Sequence, residues 1–144
     1  MLIQMVASSG VEIVRRFIEA IDRGDSEGAF ELVSPGAICV IPGSLPLRQS
    51  QSASDYAEVL GGVRRAFPSG LRWRIRETMV NGTTVIAVVD ESGVHVSGKP
   101  YVNQHCLLFR VKEQVIVQID DHFDTLALFK IWLPQGAMAA VSWS

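Results

Sequence analysis

Apolar and polar positions alternate most clearly in the second half of the chain. From Tyr101 to Thr125 the sequence reads YVNQHCLLFRVKEQVIVQIDDHFDT, with two β-like runs, Tyr101–Val111 and Val115–Phe123, around Lys112, Glu113 and Gln114. Loops of about three residues commonly close hairpins, so the spacing predicts an antiparallel pair. With Val111 opposite Val115, Phe109 faces Val117, Leu107 faces Ile119, His105 faces Asp121 and Asn103 faces Phe123. Side chains alternate between the faces of a strand. One face then carries Leu107, Phe109, Val111, Val115, Val117, Ile119 and Phe123, with Asn103, His105 and Asp121 set among them. Directly opposed Cβ atoms lie about 4.5–5.5 Å apart, so an imidazole and a carboxylate are expected as neighbours on an apolar surface.

A second hairpin precedes it. Leu71–Val80 and Thr83–Asp90 flank Asn81-Gly82, a pair that accepts the positive φ of a type I′ turn. Pairing Val80 with Thr83 puts Ile75 opposite Val88, Trp73 opposite Asp90 and Arg72 opposite Glu91. Trp73, Ile75, Ile86, Val88 and Asp90 share one face, and Arg72, Arg74 and Arg76 share the other with Glu91. The arginine stripe is read as an outward or dimer-facing surface. The chain turns at Ser97-Gly98-Lys99-Pro100 between the hairpins.

Helical periodicity dominates the first half. Ser9 and Glu12 have capping-box spacing, Val14, Phe17, Ile18 and Ile21 form one apolar stripe, and Gly24 stops the helix. Asp25 caps a second short helix, ended by Ser34-Pro35-Gly36. Ala37–Ile41 reads as a short buried strand, and a Pro/Ser/Gln-rich loop follows from Pro42 to about Ala53. A third helix runs from near Ser54 to Phe67 with Tyr56, Val59, Leu60 and Val63 on one side. Asp124 or Thr125 caps a last helix with Leu126, Phe129 and Trp132, ended by Pro134, and the tail beyond is expected to be loose. Helices followed by a long meander imply an α+β domain, with the helices on one face of a curved antiparallel sheet. Such a sheet leaves an apolar concavity suited to a small molecule.

Composition narrows the partners. The 144 residues carry a net charge of −2, which points to neither nucleic acid nor an anionic membrane. One domain spanning residues 1–144 is expected, with its core at about 9–133. No apolar run approaches the roughly 20 residues of a membrane span, and MLIQMVASSG lacks the basic start of a signal peptide. Cys39 and Cys106 show no metal or redox spacing, so no metal site and a reduced cytoplasmic setting are expected.

The opening helix VRRFIEAIDRGD, the segment SGKPYVNQHCLLFRV and the ending IVQIDDHFDT resemble the NTF2-like superfamily. The similarity is to its SnoaL-like polyketide cyclases, ketosteroid isomerases and limonene-epoxide hydrolases, over roughly Val11 to Trp132. The resemblance implies a cone-shaped pocket, no cofactor and a homodimer formed through the sheet. On that reading the outer face carries Val102, Cys106, Leu108 and Ile116. Epoxide hydrolases of this type use an Asp on the last strand and a second on the middle strand, matched by Asp121 and Asp90. Their linking Arg is Val88 here, and their water-orienting Tyr and Asn fall near Cys39 and Ile41. The general-base Asp of ketosteroid isomerases lies near the first strand, and Ala37–Pro46 contains no carboxylate. Cyclases and dehydratases of this fold mix Asp with His, which Asp121 and His105 fit best.

Asp121, His105 and Asp90 are therefore the candidate catalytic residues. Asn103, Trp73, Phe123, Tyr56, Val88 and Leu107 are the candidate substrate contacts, while His95 and His122 are assigned to a loop and the outer face. Burial raises a carboxylate's pKa and a neighbouring imidazolium lowers it, so the Asp121–His105 pair is tunable for proton transfer. The expected function is ring closure or isomerisation of a hydrophobic polyketide- or terpenoid-like molecule. The alternatives are an epoxide hydrolase using Asp90 and Asp121, and a non-catalytic lipophile-binding or protein-interaction module.

Overall fold

A computed structural model describes residues 9–42 and 50–132. The expected end of the last helix at Pro134, the tail and most of the Pro42–Ala53 loop lie outside the described residues.

Helix α1 spans Gly10–Asp22, and the Ser9 hydroxyl accepts the Glu12 amide at its start. Its apolar stripe, Ile13, Val14, Phe17, Ile18 and Ile21, is buried. Asp25 caps α2, Ser26–Phe30, by accepting from the Gly28 amide at 2.9 Å. Strand β1, Val33–Val40, begins earlier than expected, because Ser34-Pro35-Gly36 lies inside the strand at an irregularity of register rather than ending a helix. The short strand β2, Ser50–Ser52, is an addition to the sequence reading. Ser52 caps α3, Ala53–Arg65.

Four long strands follow: β3 Leu71–Asn81, β4 Thr84–Val94, β5 Pro100–Lys112 and β6 Val115–Phe123. Helix α4, Thr125–Trp132, begins where the Asp124 carboxylate accepts the Leu126 and Ala127 amides. The sheet order is β2-β1-β6-β5-β4-β3. β1 joins β6 in parallel, while every other neighbour pair is antiparallel. Helices α1, α2 and α3 cover one face, where Phe17 packs edge-on against Phe30 and Phe109 and Phe30 packs against Tyr56. Phe67, Leu71 and Tyr101 form a smaller cluster against α4.

Two bulges correct the expected registers. The β5–β6 turn has two central residues, Glu113 and Gln114, both at positive φ as a type I′ turn requires. Val111 then pairs with Ile116, the ladder slips at Val117, and His105 pairs with Phe123 while Leu107 pairs with Asp121. Beyond the slip the shift from expectation is two residues, so the faces of His105 and Asp121 are retained. Before it the faces reverse, and Ile116 is fully buried rather than on the outer face.

The β3–β4 turn has Gly82 and Thr83 at its centre, with positive φ at Gly82 as in a type II′ turn. A bulge at Arg76 then changes the register by one, so Trp73 pairs with Glu91 and Arg74 with Asp90. This reverses the expected faces of β4. Val85, Ala87, Val89 and Glu91 point inward, while Val88 and Asp90 point outward. Arg72 is not paired with Glu91. It forms a bidentate contact with Asp22 at 2.8 and 3.1 Å, and the same carboxylate accepts the Trp73 amide at 2.9 Å.

The Asp22 contacts tie the end of α1 to the start of β3. Hydrogen bonding to Arg72, opposed by some burial, holds the Asp22 carboxyl below its usual value. A lowered carboxylate stabilises the fold above its unfolded pKa, and the stability is lost as pH falls through the folded pKa. Asp22→Asn should cost about 1–2 kcal/mol at pH 7, the partly solvent-screened loss of charge-assisted bonds. In urea unfolding, the gap between variant and wild type should close as pH drops below 3.8, the ordinary Asp value.

Candidate functional site

β4, β5 and β6 lie side by side, and each contributes one ionisable side chain to the inner face. These are Glu91, His105 and Asp121, which are 4%, 4% and 1% exposed. His105 Nδ1 donates to Asp121 Oδ1 at 2.6 Å. On the other side His105 Nε2 lies 3.1 Å from Glu91 Oε1, close enough for an ion pair but off the hydrogen-bond direction. Tyr56, on α3, donates its hydroxyl to Asp121 Oδ2 at 2.7 Å. Trp73, on β3, donates Nε1 to Glu91 Oε2 at 2.5 Å. A single polar chain, Tyr56–Asp121–His105–Glu91–Trp73, thus crosses the apolar interior. The His105 ring is flanked by Trp73 and Phe123, with centroids 4.9 and 5.0 Å away.

The charge states follow from this enclosure. Burial alone would push the imidazole towards its neutral form. The carboxylates of Asp121 and Glu91 outweigh that effect and raise the His105 pKa to about 10. Two carboxylates then share one imidazolium. Burial, with the Asp121 carboxylate beside it, raises the Tyr56 phenol well above its usual value. Burial and the Glu91 carboxylate do the same to Tyr101. Both phenols are therefore neutral, Tyr56 donating to Asp121 and Tyr101 accepting from the Asn103 amide. Cys39 is buried beside Asp121, and its thiol is pushed up to about 12 by burial and by the Asp120 and Asp121 carboxylates. Its sulfur is a neutral wall atom.

The structure brings together most of the sequence-derived set. Asp121, His105, Tyr56, Trp73 and Phe123 meet in one place. Leu107 is fully buried in the core next to them. Asn103 lies at the edge, where its amide donates to the Tyr101 hydroxyl and the Asp124 carbonyl and its oxygen accepts the Asp124 amide. Asp90 and Val88 lie elsewhere. Asp90 is on the outer face, 3.0 Å from Arg76, so it does not share a pocket with Asp121. His95 lies in the loop after β4, and His122 is exposed on the outer face, as expected.

Glu91 and Tyr101 were missed. Glu91 was hidden by the bulge at Arg76, and its signal was the buried indole of Trp73, which needs an acceptor. Tyr101 was legible from its alternation with Asn103 and His105. Among the described residues no group of three or more His, Cys, Asp or Glu side chains is arranged to hold a metal. Among them, too, no helix is long and apolar enough to cross a membrane.

The SnoaL-like domain profile matches residues 14–119. The chain belongs to the SnoaL-like domain family. No curated protein matches the sequence significantly. Its fold is that of the NTF2-like proteins. The NTF2-like protein from Burkholderia thailandensis is 22% identical with a TM-score of 0.76, over 88% of this chain and 99% of that one. IdmH, a candidate polyketide cyclase from Streptomyces antibioticus, is 19% identical with a TM-score of 0.75, over 85% and 97%. TerC, crystallised with polyporic acid, is 20% identical with a TM-score of 0.73, over 86% and 98%. At these identities the likeness concerns the SnoaL-like fold.

A histidine whose folded pKa is raised contributes stability that is complete below the unfolded value, 6.5, and is lost as pH rises through the folded one. NMR titration of the His105 ring should show it protonated at pH 8 and losing its proton near pH 10. Glu91→Gln should bring that titration down, because one of the two compensating charges is gone.

Proposed function

We propose that this protein is a cofactor-independent enzyme that closes or isomerises a ring in a hydrophobic, polyketide- or terpenoid-like small molecule. The observation that carries the reading is the Glu91–His105–Asp121 set, charged yet enclosed by apolar and aromatic side chains. The SnoaL-like family membership supports it, as does a fold shared with a candidate polyketide cyclase.

The roles follow from the contacts. Both Asp121 oxygens are engaged, one by His105 and one by Tyr56. Asp121 is thus a positioning residue that fixes the imidazolium ring. Glu91 is the base that takes a proton from a substrate carbon. The freed electron pair forms the new carbon–carbon bond to a carbonyl carbon or shifts the double bond. His105 is the acid that protonates the carbonyl oxygen as its π bond opens. Return of the proton from Glu91 to His105, 3.1 Å away, restores the pair. The two transfers leave the substrate's composition unchanged. Trp73 and Phe123 offer flat apolar faces for orientation, which lowers a cyclisation barrier independently of proton transfer. An epoxide hydrolase built on Asp90 and Asp121 is not proposed, because the two carboxylates occupy opposite faces of the sheet.

A second reading has one observation in its favour. Every member of the polar chain has a partner within the protein, and His105 is sandwiched between two rings, which suits a lipophile-binding or interaction module. Incubation with linear polyketide and terpenoid intermediates, followed by mass spectrometry, separates the two. An enzyme of the proposed kind gives a product of unchanged mass and altered retention. Gain of one water would indicate hydrolysis, and a tightly bound but unaltered ligand would indicate the binding module.

Once turnover is found, Glu91→Gln and His105→Ala should each slow it by about 10²–10⁴-fold, the usual size of an acid–base contribution. Asp121→Asn should slow it comparably. The losses should not add, because the three residues act as one unit. Full activity in Asp121→Asn and Glu91→Gln, with loss in Trp73→Ala, would leave templating by shape as the mechanism.

A homodimer through the outer face of the sheet is also proposed. That face exposes Val102 at 73%, along with Cys106 on β5 and Ile38 on β1, a group of apolar positions a monomer leaves wet. Sedimentation at micromolar concentration should give twice the chain mass, and Val102→Lys should return it to the monomer.

A further inference from the structure

Glu91 lies opposite Asn103 across the β4–β5 ladder, with Tyr101 and His105 two residues to either side of Asn103 on the same inner face. Such diagonal neighbours are within reach of long side chains. His105 uses that reach to bring Nε2 to Glu91 Oε1. Tyr101 uses it from the other side. Its ring is buried. Burial, the Glu91 charge and a hydrogen bond to the Glu91 carboxylate hold the phenol above its usual pKa, against the opposing Asn103 bond.

Asn103 sets the direction of the phenol proton. Its Nδ2 donates to the Tyr101 hydroxyl oxygen at 2.8 Å. A hydroxyl that accepts there keeps its one O–H for a different partner, and Glu91 is the carboxylate that bonds to it. Asn103 is itself held. Nδ2 also donates to the Asp124 carbonyl at 2.9 Å, and Oδ1 accepts the Asp124 amide at 3.1 Å and the Gln104 amide at 2.8 Å. Two donors and two acceptor positions are the full capacity of a side-chain amide. Asn103, expected from the sequence to contact substrate, is therefore fully engaged within the protein. The Asp124 backbone that it grips leads into α4, which packs Ala127, Leu128 and Ile131 against the cluster holding Tyr101. The Tyr101 ring also stacks at a tilt on Phe67, with centroids 5.3 Å apart.

We propose that Tyr101 is a positioning residue for the base: its hydroxyl, aimed by Asn103, donates to Glu91 and with the Trp73 indole fixes the carboxylate for proton abstraction. The proposal rests on the assignment of Glu91 as the base. Trp73 bonds Oε2 alone, and a carboxylate held by one donor is free to turn about it. A second donor removes that freedom, as Tyr56 and His105 together do for Asp121. Through Asn103, the start of α4 then sets the geometry of the base.

Two readouts test it, and the first is independent of turnover. The Tyr101 hydroxyl proton, observed by NMR through the labelled ring carbon Cζ, should exchange slowly and lie downfield, as a buried donor to a carboxylate does. It should show an NOE to the Glu91 γ-methylene protons, which needs no variant. Glu91→Gln should move it upfield, and Asp121→Asn should move it far less. Once turnover is found, Tyr101→Phe should lower kcat by about tenfold or more with KM nearly unchanged, the size expected of one hydrogen bond to a charged group. Asn103→Ala should lower kcat in the wild type but not in Tyr101→Phe, because it acts through the phenol. Its cost in stability, from the loosened start of α4, should be the same in both. A hydroxyl proton that exchanges too fast to observe, lacks the NOE or is unmoved in Glu91→Gln would overturn the contact. Unchanged kcat in Tyr101→Phe would overturn the positioning role, as would a kcat loss from Asn103→Ala that persists in Tyr101→Phe. A wild type that converts no candidate substrate would overturn Glu91 as the base, and the positioning role with it, while the hydroxyl resonance still reports the contact.

Discussion

One imidazolium holding two carboxylates inside an apolar interior is the constraint on which the centre of this protein depends. Removing an ion from water costs several kcal/mol unless its partners satisfy it, and here three ions are removed together. His105 bridges Asp121 and Glu91, and the remaining carboxylate oxygens accept from Tyr56 and Trp73. The compensation therefore draws on β3, β4, β5, β6 and α3 at once. Neighbouring strands must hold their register, and α3 must sit on the sheet at the right depth, for any one of the charges to be tolerated. The same compensation keeps a proton on His105 at a pH where an isolated imidazole would have released it.

Two single-residue bulges set this geometry. At Arg76 the extra residue turns Glu91 inward and Asp90 outward, and it brings the Trp73 indole onto Glu91. At Val117 the extra residue buries Ile116 near the turn and then restores the inward face for Ile119 and Asp121. A strand has a side-chain period of two, so each bulge reverses every position on one side of it. Twist and curvature increase at the same points, which suits a sheet wrapped around helices. The device that shapes the cone thus also selects which of two adjacent acids, Asp90 or Glu91, enters it.

The SnoaL-like framework supports different chemistry on one backbone, since function resides in the side chains of the cone rather than in the fold. In this chain the inner set is Glu91, His105 and Asp121 with two neutral phenols, Tyr56 and Tyr101. Asp22 and Arg64 form a second polar centre where α1 and α3 approach β3. Burial lowers the Arg64 pKa, while the Asp22 and Glu91 charges oppose that shift. Arg64 thus feels the Glu91 end of the inner chain while its Nη2 donates to the Asp22 carbonyl.

Local chemistry made the helices, their caps and the two hairpins legible. Ser9, Asp25 and Asp124 cap helices where their side chains meet free amides, an interaction complete within a few residues. The inward face of β5 and the inward Asp121 were likewise legible, because alternation over a long regular strand needs no knowledge of its neighbours. Long-range decisions were not legible. Nothing in the residues near Arg76 announces a bulge, so the choice between Asp90 and Glu91 was settled by how β3 packs against β4 and α1. Parallel pairing of β1 with β6, and the union of Tyr56 with Asp121 across 65 residues, also required the assembled sheet. Sequence alone determined which residue types were present to do chemistry and the alternation that put His105 and Asp121 on one inner face. Tertiary structure decided which of them met, because a one-residue slip costs little locally and reverses everything beyond it.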